Sequence, residues 1–377
     1  MASLSAPALG SIAIRAAMAQ ANLDPSAPDE VLFGQVVQAG TGQAPARQAA
    51  IGAGLPPSVI CTTINKVCAS GLKAVTQGAQ AIRLGDANIV VAGGMESMSN
   101  IPHLLREVRF GRKYGDGVLL DALANDGLRD AFTHKPMGDC GEICAAEEGF
   151  SREQQDRYAA SSFERAVKAT KDGKFKGEIA PVEISKRGEK VRIENDEVKP
   201  TSYDTISKLR PSFNPPKTIH AGNASTINDG ASALIMMTEE EAKKRGLEIL
   251  AYIRGYADAE TLPEKFPIAP SLAVPKALEK AGIKLSQVDF FEFNEAFAVV
   301  ALANMKRLDN IPLNKINVYG GAVALGHPLG SSGSRILVTL LSVLKQEGGR
   351  IGVAGICNGG GGATAIVVER PAGSSKL

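Results

Sequence analysis

Short apolar runs that break off at glycines recur along this chain, and they constrain its fold more than any other feature. Ile89-Val90-Val91-Ala92 stops at Gly93-Gly94, Ile316-Asn317-Val318 precedes Gly320-Gly321, and Ile351-Gly352-Val353-Ala354 precedes the run Gly359 to Gly362. Phe290-Phe291-Glu292-Phe293 leads into Asn294, and Ala365-Ile366-Val367-Val368 closes the series. Runs of this length and composition suit strands covered on both faces. Between them, Leu72 to Leu84 and Ser334 to Leu344 carry apolar residues at helical spacing. The alternation predicts α/β architecture with buried sheets. In the first half a thiol is followed by a helix and a strand ending in Gly-Gly. In the second half a Gly-Gly turn and a helix lead to a strand ending in a thiol and glycines. This predicts two similar lobes meeting at a shared cleft.

At 377 residues the chain is long enough for two or three lobes, and 44% hydrophobic with 22% charged residues is ordinary for a globular enzyme. A net charge of +2 argues for neither a nucleic-acid nor a membrane-surface partner. No apolar run is long enough to span a bilayer, and Met1 is not followed by a charged segment and an apolar core of the secretory type. The charge-rich stretch from about Asn100 to Ala221 reads as an excursion packed over the lobes, with a solvated outer face.

Five cysteines (Cys61, Cys68, Cys140, Cys144 and Cys357) at irregular spacing are no disulfide framework and fit a reducing compartment. With four histidines and no paired ligand motif, no metal site is expected. Cys61, within Val59-Ile60-Cys61-Thr62, reads as a small buried hydrophobe. Cys68 differs. It precedes Ala69-Ser70-Gly71 at the start of a helical pattern, where free N–H groups and the helix dipole are expected to lower a thiol pKa. The glycines after Cys357 let backbone N–H groups approach an oxyanion. His327, fixed between Gly326 and Pro328, can deprotonate a thiol or donate to a developing oxyanion. Asn294 can orient a water, and Glu295 reads as a helix-start carboxylate. Two thiols and an imidazole are the parts needed for covalent acyl transfer combined with proton abstraction.

Taken in order, Val67-Cys68-Ala69-Ser70-Gly71, Gly93-Gly94-Met95-Glu96-Ser97-Met98-Ser99, Asn294-Glu295-Ala296-Phe297, Gly326-His327-Pro328 and Cys357-Asn358-Gly359-Gly360-Gly361 resemble the motif set of the thiolases, from about Leu9 to Val368. The stretch through Gly362-Ala363-Thr364 resembles the acetyl-CoA C-acetyltransferase branch more than the long-chain 3-ketoacyl branch. The resemblance implies two similar βαβαβαββ lobes in a layered αβαβα core, with an inserted loop domain. The boundaries it suggests are 1–97 with 227–248, 98–226, and 249–377. It implies reversible condensation of two acetyl-CoA to acetoacetyl-CoA and CoA through acetyl-Cys68, with ping-pong kinetics. His327 would activate Cys68, and Cys357 would move the α-proton. Asn294 would hold a water in one oxyanion hole, and the N–H groups of Cys68 and Gly359 would form the other, each such donor being worth about 2.7–4 kcal/mol.

By the same resemblance, Met137, Phe213, Ala221, Ala224 and Ser225 would line the coenzyme A site, coenzyme A being substrate and product with no further cofactor. Pro136 stands where a histidine is common, and Val198 where potassium-binding relatives carry a tyrosine, so that cation site does not carry over. A homodimer or homotetramer is expected, with Ile101 to Asp116 as the tetramer loop. Ser375-Lys376-Leu377 matches a peroxisomal address read by an import receptor, the alternative being the cytoplasm. Thiolases have a strand and an Arg-Thr-Pro-type loop before the segment matching Leu9-Gly10-Ser11-Ile12, which this sequence lacks. The expectation is a gap inside the first sheet with two unpaired edges, and poor solubility or weak activity. The rival readings are a 3-ketoacyl-CoA thiolase of fatty-acid β-oxidation and a non-catalytic isoform that assembles with full-length subunits.

Overall fold

A computed structural model describes residues 1–186, 188–213 and 217–372. Two four-stranded sheets organise it. The first uses β1 (Glu30–Gly34), β2 (Ile60–Ile64), β3 (Ile89–Ser97) and β4 (Asp229–Met237), in the order β2-β1-β3-β4. The second uses β5 (Tyr252–Glu260), β6 (Phe290–Phe293), β7 (Ile351–Asn358) and β8 (Gly362–Glu369), in the order β6-β7-β8-β5.

The sheets repeat one plan. β1 runs parallel to β3 and β3 antiparallel to β4; likewise β6 runs parallel to β7 and β7 antiparallel to β8. All residues of β3 are buried, as are all of β7 but its first, which is why both read as continuous apolar runs.

The principal helices are α1 (Ala6–Gln20), α2 (Pro45–Gly52), α3 (Ser70–Leu84), α4 (Met137–Glu148), α5 (Arg152–Lys171), α6 (Pro270–Ala281), α7 (Ala298–Arg307) and α8 (Leu329–Glu347). α3 and α8 pack on each other between the two sheets. Leu72 and Val75 from α3, Leu337 and Leu340 from α8, Val90 from β3 and Ile356 from β7 meet in one core. α1 and α2 cover the outer face of the first sheet, and α6 and α7 that of the second. The five layers expected are therefore present.

Glycine at the ends of the inner strands sets how closely the central helices approach. A Cβ on Gly94 would stand 1.9 Å from the Gly330 carbonyl oxygen, so only glycine lets the start of α8 press onto β3. That contact brings the residues preceding α3 and α8 together at one end of both sheets.

Two expectations fail. Ile316-Asn317-Val318 forms only an isolated bridge to Phe291, because Asn317 turns inward and its Nδ2 donates to the Glu295 carboxylate (2.7 Å) and the Phe293 carbonyl (2.9 Å). The gap inside the first sheet is also absent. β4 pairs with β3 along its whole length, from Ile89↔Met237 to Ser97↔Asp229, leaving no place between them. The unpaired edge lies outside β4, beside a groove of about 2140 Å³ lined by α1, β4 and α8. In the second sheet the matching edge of β8 is covered by β5. Cys61 also departs from its reading: β2 is an edge strand, Cys61 is half-buried, and Ile60 is 63% exposed. No helix among the described residues is long and apolar enough to cross a membrane.

Candidate active site

The turn between β2 and α3 is built to hold Cys68 in a strained presentation. Asn65 Oδ1 accepts from the Val67 N–H (2.9 Å), while its Nδ2 donates to the Val36 carbonyl (3.1 Å). The Ser70 hydroxyl accepts from the Lys66 N–H (2.8 Å) and donates to the Val67 carbonyl (2.5 Å). Held this way, Val67 has φ +47°, which costs a β-branched residue about 1–3 kcal/mol.

The Gly359 N–H acts on the Cys68 sulfur and, with the field of the Cys68 N–H, lowers the thiol pKa. Its expected acidity does not follow. Burial pushes the thiol up to about 12, and the two N–H groups offset only part of that. α3 begins two residues later, at Ser70, and the backbone N–H groups that act on the sulfur are those of Cys68 and Gly359.

Cys357 is the penultimate residue of β7, buried and paired with Ala363 of β8, so it sits in the strand and not in the turn after it. Burial first, and then the nearby Cys68 sulfur, hold its thiol far above the ordinary range. The glycines that follow make the turn: Gly360 and Gly361 have φ +88° and +91°. A Cβ on Gly359 would lie 3.6 Å from both Met137 Sδ and Val67 Cγ1, so this glycine closes over the Cys68 turn.

His327 is buried, and its N–H donates to the Thr226 carbonyl (3.3 Å). Its Nδ1 lies 2.5 Å from the Ser332 hydroxyl, which donates to the Pro328 carbonyl (2.9 Å). A hydroxyl has one proton, so Nδ1 carries the proton shared with Ser332 and Nε2 is left as an acceptor. Asn294 Nδ2 donates to that nitrogen at 3.4 Å. Burial lowers the imidazole pKa to about 4, so it is neutral at pH 7. Asn294 follows β6 and its N–H donates to the Gly355 carbonyl of β7 (3.1 Å). Its Oδ1 is buried with no partner among the described residues.

Glu295 is no helix-start carboxylate. It is fully buried and accepts from the Tyr158 hydroxyl (2.8 Å), the Ser162 hydroxyl (2.8 Å), Asn317 Nδ2 (2.7 Å) and the Val323 N–H (3.1 Å). It pins α5 to the segment that carries His327. Glu96 has a matching task. Its carboxylate accepts from the N–H groups of Val36 (2.9 Å), Val37 (3.2 Å) and Gly330 (2.9 Å), tying the end of β1 to the first turn of α8, and burial raises its pKa to about 7.

Met137 opens α4 and joins Phe213, Ala224, Phe297 and Cys357 in one apolar cluster. Phe213 meets Phe297 edge-on, with centroids 6.4 Å apart. The Ala221-to-Ser225 segment is anchored by the Ser225 N–H donating to the Ala296 carbonyl (3.0 Å). It is also held by buried His220, which donates from Nε2 to Asp156 Oδ1 (2.7 Å) and accepts at Nδ1 from the Gly222 N–H (3.1 Å). Ala221 is exposed on that turn and Ser225 half-buried. Val198 packs elsewhere, against the outer core of the second sheet. No cluster of metal-ligating side chains occurs among the described residues. Lys66, Glu96, Ser332 and Asn358 were not singled out from the sequence; their signal is adjacency, two before Cys68, two after Gly94, five after His327 and one after Cys357.

The arrangement can carry out acyl transfer between thiols: a half-buried Cys68 sulfur with a backbone N–H on it, a buried Cys357 sulfur, and a neutral imidazole whose Nε2 carries no proton. The comparisons agree. The model described as the thiolase N-terminal domain matches residues 1–240, and that of the thiolase C-terminal domain matches 247–370. Acetyl-CoA acetyltransferase 2 of Arabidopsis thaliana is 55% identical over 373 residues, covering 98% of this chain and 92% of that protein. A cytosolic acetyl-CoA acetyltransferase of Gibberella zeae is 52% identical over 372 residues, covering 98% and 93%. The crystal structure of human mitochondrial 3-ketoacyl-CoA thiolase superposes with a TM-score of 0.95 at 38% identity, covering 98% and 94% of the two chains.

Proposed function

The chain belongs to the thiolase family, and we propose that it is an acetyl-CoA acetyltransferase, interconverting two acetyl-CoA with acetoacetyl-CoA and CoA. The relatives that share more than half its sequence carry that activity in their names. The observation that carries the residue assignment is the packing of Gly359 on Val67, 3.6 Å from its Cγ1 to a Cβ built on the glycine, which puts the turn after Cys357 against the nucleophile.

In the first half-reaction the Cys68 sulfur attacks the thioester carbon while its proton passes to His327 Nε2. Thiol and imidazole are both neutral at rest, so the proton leaves as the C–S bond forms. The carbonyl oxygen becomes an oxyanion beside the N–H groups of Cys68 and Gly359. The bond to coenzyme A sulfur breaks, and that thiolate takes the proton as it departs. In the second half-reaction Cys357 passes its thiol proton to His327 Nε2 and, as thiolate, removes the α-proton of the next acetyl-CoA; the imidazolium later returns its proton to the departing Cys68 sulfur. The enolate carbon attacks acetyl-Cys68, and the Cys68 sulfur leaves. The partnerless Asn294 Oδ1 beside His327 supports its expected role of holding a water for the enolate oxygen.

Met137, Phe213, Ala224, Ser225 and Ala221, on the stretch 98–226, would take the pantetheine and adenine portions of coenzyme A. A homodimer or homotetramer is supported by the exposed edge of β2 and by Phe110 and Tyr114, which are 95% and 96% exposed. Ser375, Lys376 and Leu377 lie outside the described residues; the tripeptide supports peroxisomal import, and the cytosolic Gibberella relative supports the cytoplasm.

Thiolysis of acetoacetyl-CoA beside a longer 3-ketoacyl-CoA, on wild type and Cys68→Ala, tests the reading. Preference for acetoacetyl-CoA and loss of both activities in the variant are expected. Preference for the longer chain would give the reaction to the 3-ketoacyl reading, which the human mitochondrial structure favours.

A further inference from the structure

Lys66 reaches across the molecule from the Cys68 turn to the Cys357 turn. Its Nζ donates to Asn358 Oδ1 (3.0 Å) and to the Ala363 carbonyl (3.3 Å), and its side chain is only 19% exposed. Asn358 is buried, and the other end of its amide, Nδ2, donates to the Gly359 carbonyl (2.8 Å). The Gly359 N–H in turn acts on the Cys68 sulfur. The contacts close a ring: Lys66 to Asn358, Asn358 to Gly359, Gly359 to Cys68, and two peptide units back to Lys66.

We propose that Lys66 is a positioning residue for the oxyanion hole, acting through Asn358 to aim the Gly359 N–H at the Cys68 sulfur and at the acyl oxygen that forms there. The proposal deepens the acyl-transfer reading and rests on it.

Each link has a physical reason. Gly360 and Gly361 follow with positive φ, so the turn has little stiffness of its own, and holding the Gly359 carbonyl from outside fixes where that glycine, and with it its N–H, sits. An amide side chain does this only if it cannot flip, and Asn358 Oδ1 is held by a donor that cannot act as an acceptor. The ammonium is itself fixed by carboxylates of β5: Glu260 at 3.2 Å and Asp258 at 3.6 Å. Asp258 also takes Lys73 of α3 at 2.7 Å and the Thr364 hydroxyl at 2.6 Å. The Lys66 ammonium is thus engaged by two carboxylates, an amide oxygen and a backbone carbonyl. The other ionisable groups of the site are Glu96 of β3, Cys357 of β7 and His327, which precedes α8.

The test is the pH profile of Cys68 alkylation by iodoacetamide, read on the Cys68 peptide by mass spectrometry, for wild type, Lys66→Met, Lys66→Arg, Asn358→Ala and the double variant Lys66→Met/Asn358→Ala. Loss of the aimed N–H should slow Cys68 alkylation in Lys66→Met about tenfold at each pH from 7 to 10. It should also lower kcat by about a hundredfold with KM for acetyl-CoA nearly unchanged. Lys66→Arg should recover most of both. The double variant should be no worse than Asn358→Ala alone, since both changes cut one chain of contacts. An unmoved profile in Lys66→Met, whatever its melting temperature, would overturn the proposal, as would additive losses in the double variant. The alkylation readout uses no substrate, so it stands apart from failure of the wild type to cleave acetoacetyl-CoA, which would overturn the function and leave the geometry to be judged alone.

Discussion

The backbone N–H of Gly359 acts on the sulfur of Cys68, so a turn from the second half of the chain closes over a thiol from the first. The two lobes make that possible by repeating one plan. Cys68 precedes α3 and His327 precedes α8; these helices pack together between the sheets, and β7 delivers Cys357 and Gly359 to the same end. Much of the site's chemistry follows from its dryness, because burial favours the uncharged forms of both thiols and the imidazole.

Cys68 in the free enzyme should therefore behave as a slow thiol. With its pKa pushed up to about 12, its alkylation at pH 7 should be at least about a hundredfold slower than that of an exposed cysteine, and should still be rising at pH 10. A profile that levels off below pH 8 would mean a resting thiolate and contradict the neutral pair.

Two buried groups should oppose each other in acid. For His327 the folded pKa is about 4 against about 6.5 unfolded, so between those values the unfolded chain binds more protons and stability falls as pH drops. The loss from pH 7 to pH 5 comes to about 2 kcal/mol. Glu96, raised to about 7 from an ordinary value near 4.5, works the other way: the folded state keeps a proton that the unfolded chain has released, and stability falls as pH rises through that window. Urea unfolding at pH 5 and pH 7 separates them. Relative to wild type, His327→Gln should gain stability on acidification and Glu96→Gln should lose it. Parallel shifts in both variants would be the contrary result.

Ser332 should matter through the imidazole alone. Without its hydroxyl, Nδ1–H of His327 loses its acceptor and the ring loses its fixed tautomer. Ser332→Ala should lower kcat about 10- to 100-fold with little change in KM, and Ser332→Thr should recover part of it. A fall confined to KM would place Ser332 in binding instead.

Gly94→Ala should be among the most damaging single-methyl additions. The new Cβ would meet the Gly330 carbonyl oxygen at 1.9 Å, and neither β3 nor the start of α8 can withdraw without dragging the site apart. A stability loss of about 3 kcal/mol or more is expected by thermal unfolding. A variant as stable as wild type would show that α8 is less tightly seated.

The local signals in the sequence led to the right elements. β3 and β7 were legible because both faces are covered and the apolar run is unbroken. Cys68, His327 and Cys357 stand out in the sequence because a glycine or proline lies within three positions of each, and Asn294 because it directly follows an apolar run. What stayed hidden was decided at long range. The acidity of Cys68 depended on how far the surrounding packing strips water from its thiol, which the local helix start could not report. Glu295 looked like a capping carboxylate because its partners, Tyr158, Ser162 and Asn317, come from distant segments. Strand order was misplaced for the same reason, since β4 arrives from more than a hundred residues after β3 to take the place beside it. Lys66 and Asn358, 292 positions apart, have nothing in sequence to join them.

Mass spectrometry of the enzyme quenched after exposure to acetyl-CoA alone tests the central claim most directly. A single acetyl group on the peptide carrying Cys68, removed when free CoA is added and absent in Cys68→Ala, is expected. Acetyl on the Cys357 peptide instead, or steady turnover with no acetylated enzyme at any time, would contradict it.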